Sequence, residues 1–380
     1  MDNREARLQA LLNALPSRRA WWTLVKLFEH WPACSTRHTA LQRASDRIVS
    51  WPAPSRIYPV LPPPEHPAWY LSTGFRLRQL PAPDPNLHFL QQRAAEFARF
   101  PHITALDLNQ HLELRSLDGL ASLTGLERLE LTNCWKLENI DGLAGLTRLQ
   151  RLNLKSCSTL TSLQPLARLS GLTYLDLRHA YALQNLDGLE ASTGLVYLDL
   201  RNCRELQHID GLSGLTALRR LHLSGCVLLP HLDALKRLTR LERLDLRYCK
   251  NLQNLDGLAA LTDLTHLTLR YCGQLVNIDG LAHLENLQYL DLRYCEKLPS
   301  IASLANLPNL RHLNLRDCHA LKNTTALEKL PALHYLNVFD SRTSVRAEDF
   351  TYRTQDEIAA YLAQRPNTQR LWWQLWRPAP

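Results

Sequence analysis

An aliphatic residue opens a new repeat every 23 residues, at Ile103, Leu126, Leu149, Leu172, Leu195, Leu218, Leu241, Leu264, Leu287, Leu310 and Leu333. Counting it as position 1, positions 4, 12 and 18 are Leu in every repeat that reaches them, and position 6 is Leu until Val338. A unit this short cannot bury its own apolar side, so the pattern demands stacked neighbours that share one continuous core. Side chains alternate faces along a strand, which sends positions 4 and 6 inward and positions 3, 5 and 7 outward. The expected fold is an α/β solenoid, a curved array with short parallel strands on its concave face. At about 4.8 Å per strand, eleven strands span on the order of 50 Å.

Position 9 is a column of cysteines: Cys134, Cys157, Cys203, Cys226, Cys249, Cys272, Cys295 and Cys318, interrupted by Ala180. Only Cys34 lies outside it. Parallel side chains keep neighbouring Cβ atoms near the strand spacing, beyond the usual 3.5–4.5 Å of a disulfide. No Cys-x-x-Cys pair offers adjacent metal ligands. The column therefore reads as small buried thiols, with no metal and no cofactor, and reduced thiols in such number fit a cytoplasmic protein.

The unit Leu-x-x-Leu-x-Leu-x-x-Cys resembles the leucine-rich repeats over roughly residues 103–340. It is similar to the Cys-bearing repeats of plant intracellular immune receptors and to bacterial leucine-rich-repeat proteins and effectors. The resemblance implies binding of a protein partner through the concave face. It brings no nucleotide-binding module and no ligase domain.

The flanks divide differently. Residues 1–50 read as a helical N-terminal region, with helical periodicity over 2–15, 18–31 and 38–50, and residues 51–85 as a Pro-rich linker or strap holding ten of the 21 prolines. A capping helix is expected within 86–102, the repeats occupy 103–340 as ten full units and a partial eleventh, and a C-terminal cap covers 341–380. There Thr354 to Glu357 has capping-box spacing. Eight of the nine tryptophans, Trp21, Trp22, Trp31, Trp51, Trp69, Trp372, Trp373 and Trp376, lie in the flanks, where packing over the ends of the array is the expected role. The start of the chain shows no secretory pattern and no stretch has the length of a membrane span, leaving export as an effector without a cleavable signal as the alternative to a cytoplasmic site.

The net charge of +8 suggests nucleic acid, but its location argues against it. Residues 103–340 hold 25 basic and 25 acidic residues, while 1–102 carry 13 basic against 7 acidic and 341–380 carry 6 against 4. A phosphate-tracking protein needs an unbroken basic stripe, which the repeats do not supply.

What the repeats offer a partner is set by the outward columns. Positions 3, 5 and 7 together carry eleven basic and six acidic residues, a modest basic bias. Position 3 includes Tyr174, Tyr197, Arg243 and Tyr289, position 5 Asp176, Asp199, Asp245 and Asp291, and position 7 Arg178, Arg201, Arg247, Arg270, Arg293 and Arg316. The acidic and basic columns are expected to pair along and across strands as a solvated ladder, each exposed pair contributing about 0–1 kcal/mol. Tyr and Arg are also the residue types that dominate protein interfaces. The predicted binding centre is the run of Arg-Tyr-Cys in three consecutive repeats, where Tyr248, Tyr271 and Tyr294 stand beside the arginine column.

On the far side, Asp-Gly fills positions 16–17 in repeats 1, 2, 4, 5, 7 and 8 but not in 3, 6 and 9, a higher period of 69 residues. It reads as a turn or helix start. None of the phosphate-loop, dinucleotide, zincin or nucleophile-elbow motifs is present. The sequence thus predicts a non-catalytic interaction scaffold that binds a partner protein. A delivered bacterial effector or ubiquitin-ligase-type adaptor, recruiting a second protein through the N-terminal helices, is the alternative, and a nucleic-acid binder the third.

Overall fold

The structure, a computed structural model, describes residues 3–13, 75–76, 104–339, 351–352 and 354–363. The helices expected at 18–31, 38–50 and 86–100, most of the Pro-rich segment and the eight flanking tryptophans lie outside these residues. The chain forms two compact bodies, residues 1–180 and 181–380, each taken by itself below.

Every repeat contributes one strand at positions 3–5. In the N-terminal body these are β2 (Ala105–Asp107), β3 (Arg128–Glu130), β4 (Arg151–Asn153) and β5 (Tyr174–Asp176), all parallel and in register, with a short β1 (Phe75–Arg76) pairing parallel to β2. That pairing covers an edge of β2 from within the Pro-rich segment, which its composition did not reveal. A helix, α1 (Asn3–Asn13), buries Leu8.

In the C-terminal body, β6 (Tyr197–Asp199), β7 (Arg220–His222), β8 (Arg243–Asp245), β9 (His266–Thr268), β10 (Tyr289–Asp291), β11 (His312–Asn314) and β12 (Tyr335–Asn337) run parallel. The register offset is one repeat at each step, so each position forms a column. At the far edge β13 (Thr351–Tyr352) turns antiparallel against β12 and is followed by α2 (Gln355–Ala363). The expected capping box forms there: Thr354 Oγ1 accepts the Glu357 N–H at 3.1 Å, and Glu357 Oε2 accepts the Thr354 N–H at 3.1 Å.

The inward leucines at positions 1, 4, 6, 12, 15, 18 and 21 are buried throughout both bodies, as the 23-residue pattern requires. The eight described cysteines are free and buried. Thiols of the column donate to the position-6 carbonyl of the preceding repeat, as Cys134 Sγ does to Leu108 O at 3.2 Å and Cys318 Sγ to Leu292 O at 3.1 Å. Position 9 therefore needs a small donor that tolerates an apolar site, and a thiol satisfies both demands.

The side opposite the strands is made of 3-10 turns that begin at position 16, such as Asp141–Leu143, Asp210–Leu212 and Asp279–Leu281. Asp187-Gly188 departs from this: Gly188 has φ +103 and its N–H is taken by Glu190 Oε2 at 2.8 Å.

Candidate functional site

The outward surface is built around two backbone requirements. Position 7 offers an N–H just past the strand, and the position-5 side chain accepts it, for example Arg178 N–H to Asp176 Oδ1 at 3.1 Å, Lys155 N–H to Asn153 Oδ1 at 3.0 Å and Phe339 N–H to Asn337 Oδ1 at 3.1 Å. This is an Asx turn, and it explains why Asp and Asn dominate position 5. At position 8 the chain turns under the strand with φ between +59 and +65 in nine repeats and +80 at Gly225. The turn is closed by the position-9 N–H on the position-6 carbonyl, as in Cys249 N–H to Leu246 O at 3.2 Å. The position-8 N–H, freed from its own turn, continues the ladder to the next repeat's position-7 carbonyl, as in Tyr271 N–H to Arg293 O at 2.9 Å.

The acidic and basic columns pair along the strands, as expected, but not as a solvated ladder. Four aspartates pair inside their own repeats: Arg178 with Asp176 (2.5 Å), Arg201 with Asp199 (2.6 Å), Arg247 with Asp245 (2.7 Å) and Arg293 with Asp291 (2.6 Å). The four carboxylates are buried while their arginines stay partly exposed. The cause is the Asx turn, which points the carboxylate back over the backbone and under the guanidinium. Burial pushes the Asp199 carboxyl up, but the Arg201 guanidinium and its N–H outweigh that and leave it below the usual range. Asp245 likewise ends far below it, burial being overcome by His222 and Arg247.

The predicted Tyr248, Tyr271 and Tyr294 do come together. Their rings stack with centroids 4.8 and 4.2 Å apart and interplanar angles of 16° and 8°. All three occupy the left-handed position 8, at φ +60, +65 and +59, where Asn or Gly is the ordinary choice and a bulky aromatic is strained. The outer face of Tyr248 looks toward Gly225, which has no side chain, and Tyr248 is 40% exposed. Tyr294 has Asp317 next in the column, and bonds to Asp317 and Tyr271 raise the pKa of its phenol, whereas the bond from Arg270 lowers that of Tyr271.

A second stack runs along position 3: His266, Tyr289, His312 and Tyr335, with centroids 5.9, 4.3 and 3.9 Å apart. Of these only Tyr289 was among the predicted site residues. The signal was their shared column, which the 23-residue period displays and which polarity alone does not single out. Burial lowers the pKa of both histidines, helped at His266 by Arg243.

The remaining predicted residues are dispersed. In the N-terminal body the Arg151 guanidinium lies 4.1 Å from the Tyr174 ring centroid, and Arg178 is held on Asp176. In the C-terminal body Tyr197 Oη donates to Asp199 Oδ2 at 3.0 Å and its ring tilts against His222. Arg243 is exposed on β8 beside Arg220 in the β7 register. Arg316 bonds Asp317 at 3.0 Å and covers the Phe339 ring. Among the described residues no group of three or more His, Cys, Asp or Glu is placed to hold a metal ion, and no helix is long and apolar enough to cross a membrane.

An uninterrupted 23-residue register, one parallel strand per repeat and a thiol column beneath it define the class: this chain has the fold of a leucine-rich repeat array. No family model matches it, and no curated protein does. Among solved structures it is similar to an internalin, InlF, of Listeria monocytogenes, with 21% identity over 62% of this chain and 80% of that one and a TM-score of 0.39. It is also similar to internalin C2 of the same organism (22% identity, 64% and 82% covered, TM-score 0.35) and to a leucine-rich repeat protein of Leptospira interrogans (19%, 64% and 80%, TM-score 0.35).

Proposed function

We propose that this protein is a non-catalytic scaffold that binds a partner protein on the outward face of its strands, centred on Tyr248, Tyr271 and Tyr294. The observation that carries this reading is the placement of three consecutive tyrosines in a strained left-handed conformation that seven other repeats fill with Gln, Asn, Ser, His, Gly or Asp. A bulky side chain in that region costs of order 1–3 kcal/mol, and such strain concentrates where a surface is used. The stack presents flat aromatic area at low entropic cost, bordered by arginines, the composition of an interface centre.

The test is a comparison of purified partners. The intact chain and a Tyr248→Ala/Tyr271→Ala/Tyr294→Ala variant are used in parallel affinity capture, with matched circular dichroism spectra to verify folding. The reading requires the variant to lose the partners that the intact chain retains. Equal recovery by both would move the site elsewhere.

A further inference from the structure

In the C-terminal body, position 7 carries five arginines, and four have a carboxylate from the chain itself. Arg201, Arg247 and Arg293 take the aspartate two residues earlier, and Arg316 takes Asp317. Arg270 has Thr268 in that place, and the Thr268 hydroxyl is committed elsewhere, to Asp245 Oδ1 at 3.0 Å. Among the described residues no carboxylate pairs with Arg270, and its Nε is shielded from solvent without a hydrogen-bond partner. Its guanidinium carbon lies 4.9 Å from the Tyr271 ring centroid and 5.8 Å from that of Tyr294, with Nη2 3.5 Å from the Tyr271 hydroxyl.

Arg270 therefore lacks the counter-charge that the fold supplies to three of its counterparts through the aspartate two residues earlier. The surroundings add to the imbalance. Arg220 and Arg243 stand opposite each other in register, an unfavourable like-charge pair, and neither meets a carboxylate among the described residues. Over positions 3, 5 and 7 of this body there are seven arginines and three aspartates.

We propose that Arg270, set against Tyr271 and Tyr294, binds a side-chain carboxylate from an acidic segment of a partner protein. The partner's Asp or Glu supplies from outside the counter-charge that Thr268 withholds, and it does so at the outer guanidinium edge, because Nε faces inward. Two rings beside the pair exclude water from it, which strengthens a charge-assisted hydrogen bond. This inference rests on the outward face being the interaction surface, and it assigns that surface the chemistry of its ligand.

The experiment uses a fluorescein-labelled hexaglutamate peptide, with hexaglutamine as its neutral counterpart, in fluorescence anisotropy titrations at low salt against the full chain. Thr268→Asp rebuilds the internal clamp and neutralises Arg270 without removing it, and Arg270→Gln removes the charge. Ser213→Asp, on the opposite side at an exposed turn, makes the same change in net charge as Thr268→Asp. Thr268→Asp and Arg270→Gln are expected to weaken hexaglutamate binding roughly tenfold, the worth of one charge-assisted bond, and Ser213→Asp by no more than about twofold. Equal weakening by Thr268→Asp and Ser213→Asp, or no preference of the intact chain for hexaglutamate over hexaglutamine, would overturn the proposal. Should Thr268→Asp fail to fold, Arg270→Gln against Ser213→Asp decides. A failure here leaves the tyrosine-dependent partner capture intact, so the two readings fall separately.

Discussion

Replacing Gly280 with Ala tests whether the Asp-Gly row is a packing device. A Cβ at this position would lie 1.9 Å from the carbonyl oxygen of Leu255, 2.5 Å from its carbon and 3.1 Å from the Asp256 nitrogen. All three are backbone atoms of the preceding repeat, so no side chain can swing aside. An ordinary carbon–oxygen contact is about 3.3 Å, and relief therefore requires the 3-10 turn Asp279–Leu281 to retreat by roughly 1.4 Å from its neighbour. That retreat opens the seam between Leu281 and Leu258, both fully buried. Overpacking costs about 1–3 kcal/mol where side chains can adjust; with a rigid backbone obstacle the value belongs at the upper end, about 3 kcal/mol. The reciprocal change supplies the control. Repeat 6 has Ala234 at the equivalent place, and Ala234→Gly should cost only about 0.5–1 kcal/mol of backbone entropy. Urea unfolding followed by circular dichroism reads both variants. If Gly280→Ala loses no more than Ala234→Gly, the glycine is not there for close approach and the argument fails.

Other predictions concern chemistry that burial has hidden. Burial pushes the thiols of Cys134, Cys272 and Cys318 up to about 12, so the eight column cysteines should resist a thiol reagent at pH 8 until guanidinium unfolds the chain; fast labelling of two or more in the native protein contradicts this. Asp245, held below its unfolded value, contributes stability that is present above about pH 4 and lost as pH falls toward its folded value. Asp245→Asn should therefore lower stability at pH 7 by about 1–3 kcal/mol and flatten the acid decline, and an unchanged pH profile argues against it. His266 and His312 have folded values below the unfolded 6.5, so their contribution is present above that pH and lost below it; His266→Gln/His312→Gln should remove part of the stability lost as pH falls below about 6.5. Tyr271→Asn should leave stability unchanged or raise it by up to about 1 kcal/mol, since Asn suits the left-handed turn, and a loss above about 1 kcal/mol would make the stack structural rather than functional.

The inward half of this fold was legible because it repeats one chemical demand: an aliphatic residue, mostly leucine, at seven fixed positions and a small residue, mostly cysteine, at the ninth. The outward half was legible only as columns. Position 5 looked like a charge column because Asp176, Asp199, Asp245 and Asp291 are acidic, yet Asn153, Asn314 and Asn337 in the same column accept the same position-7 N–H. The shared property is a short acceptor, not a charge. Position 8 carried a clue in Asn133, Asn202 and Gly225, residues that favour positive φ, but the three tyrosines and His179 obscured it. The His266 to Tyr335 stack could be placed in one column from the period, whereas ring orientation depends on neighbours that a sequence does not orient.

The structural rules and the interaction chemistry divide the same surface between them. Where the repeat obeys its rule, an aspartate satisfies a backbone N–H and an arginine in one stroke, and the arginine's charge is already met. Repeats 6 to 9 hold several exceptions together, namely Arg220 facing Arg243, Thr268 in place of an aspartate, and tyrosines where asparagine would be easier, while Arg128 facing Arg151 is one that lies outside them. Each exception raises the energy of the isolated protein, and repeats 6 to 9 combine three kinds of them. On the proposed reading these exceptions mark the recognition surface, because groups left unsatisfied by the fold gain from meeting another molecule.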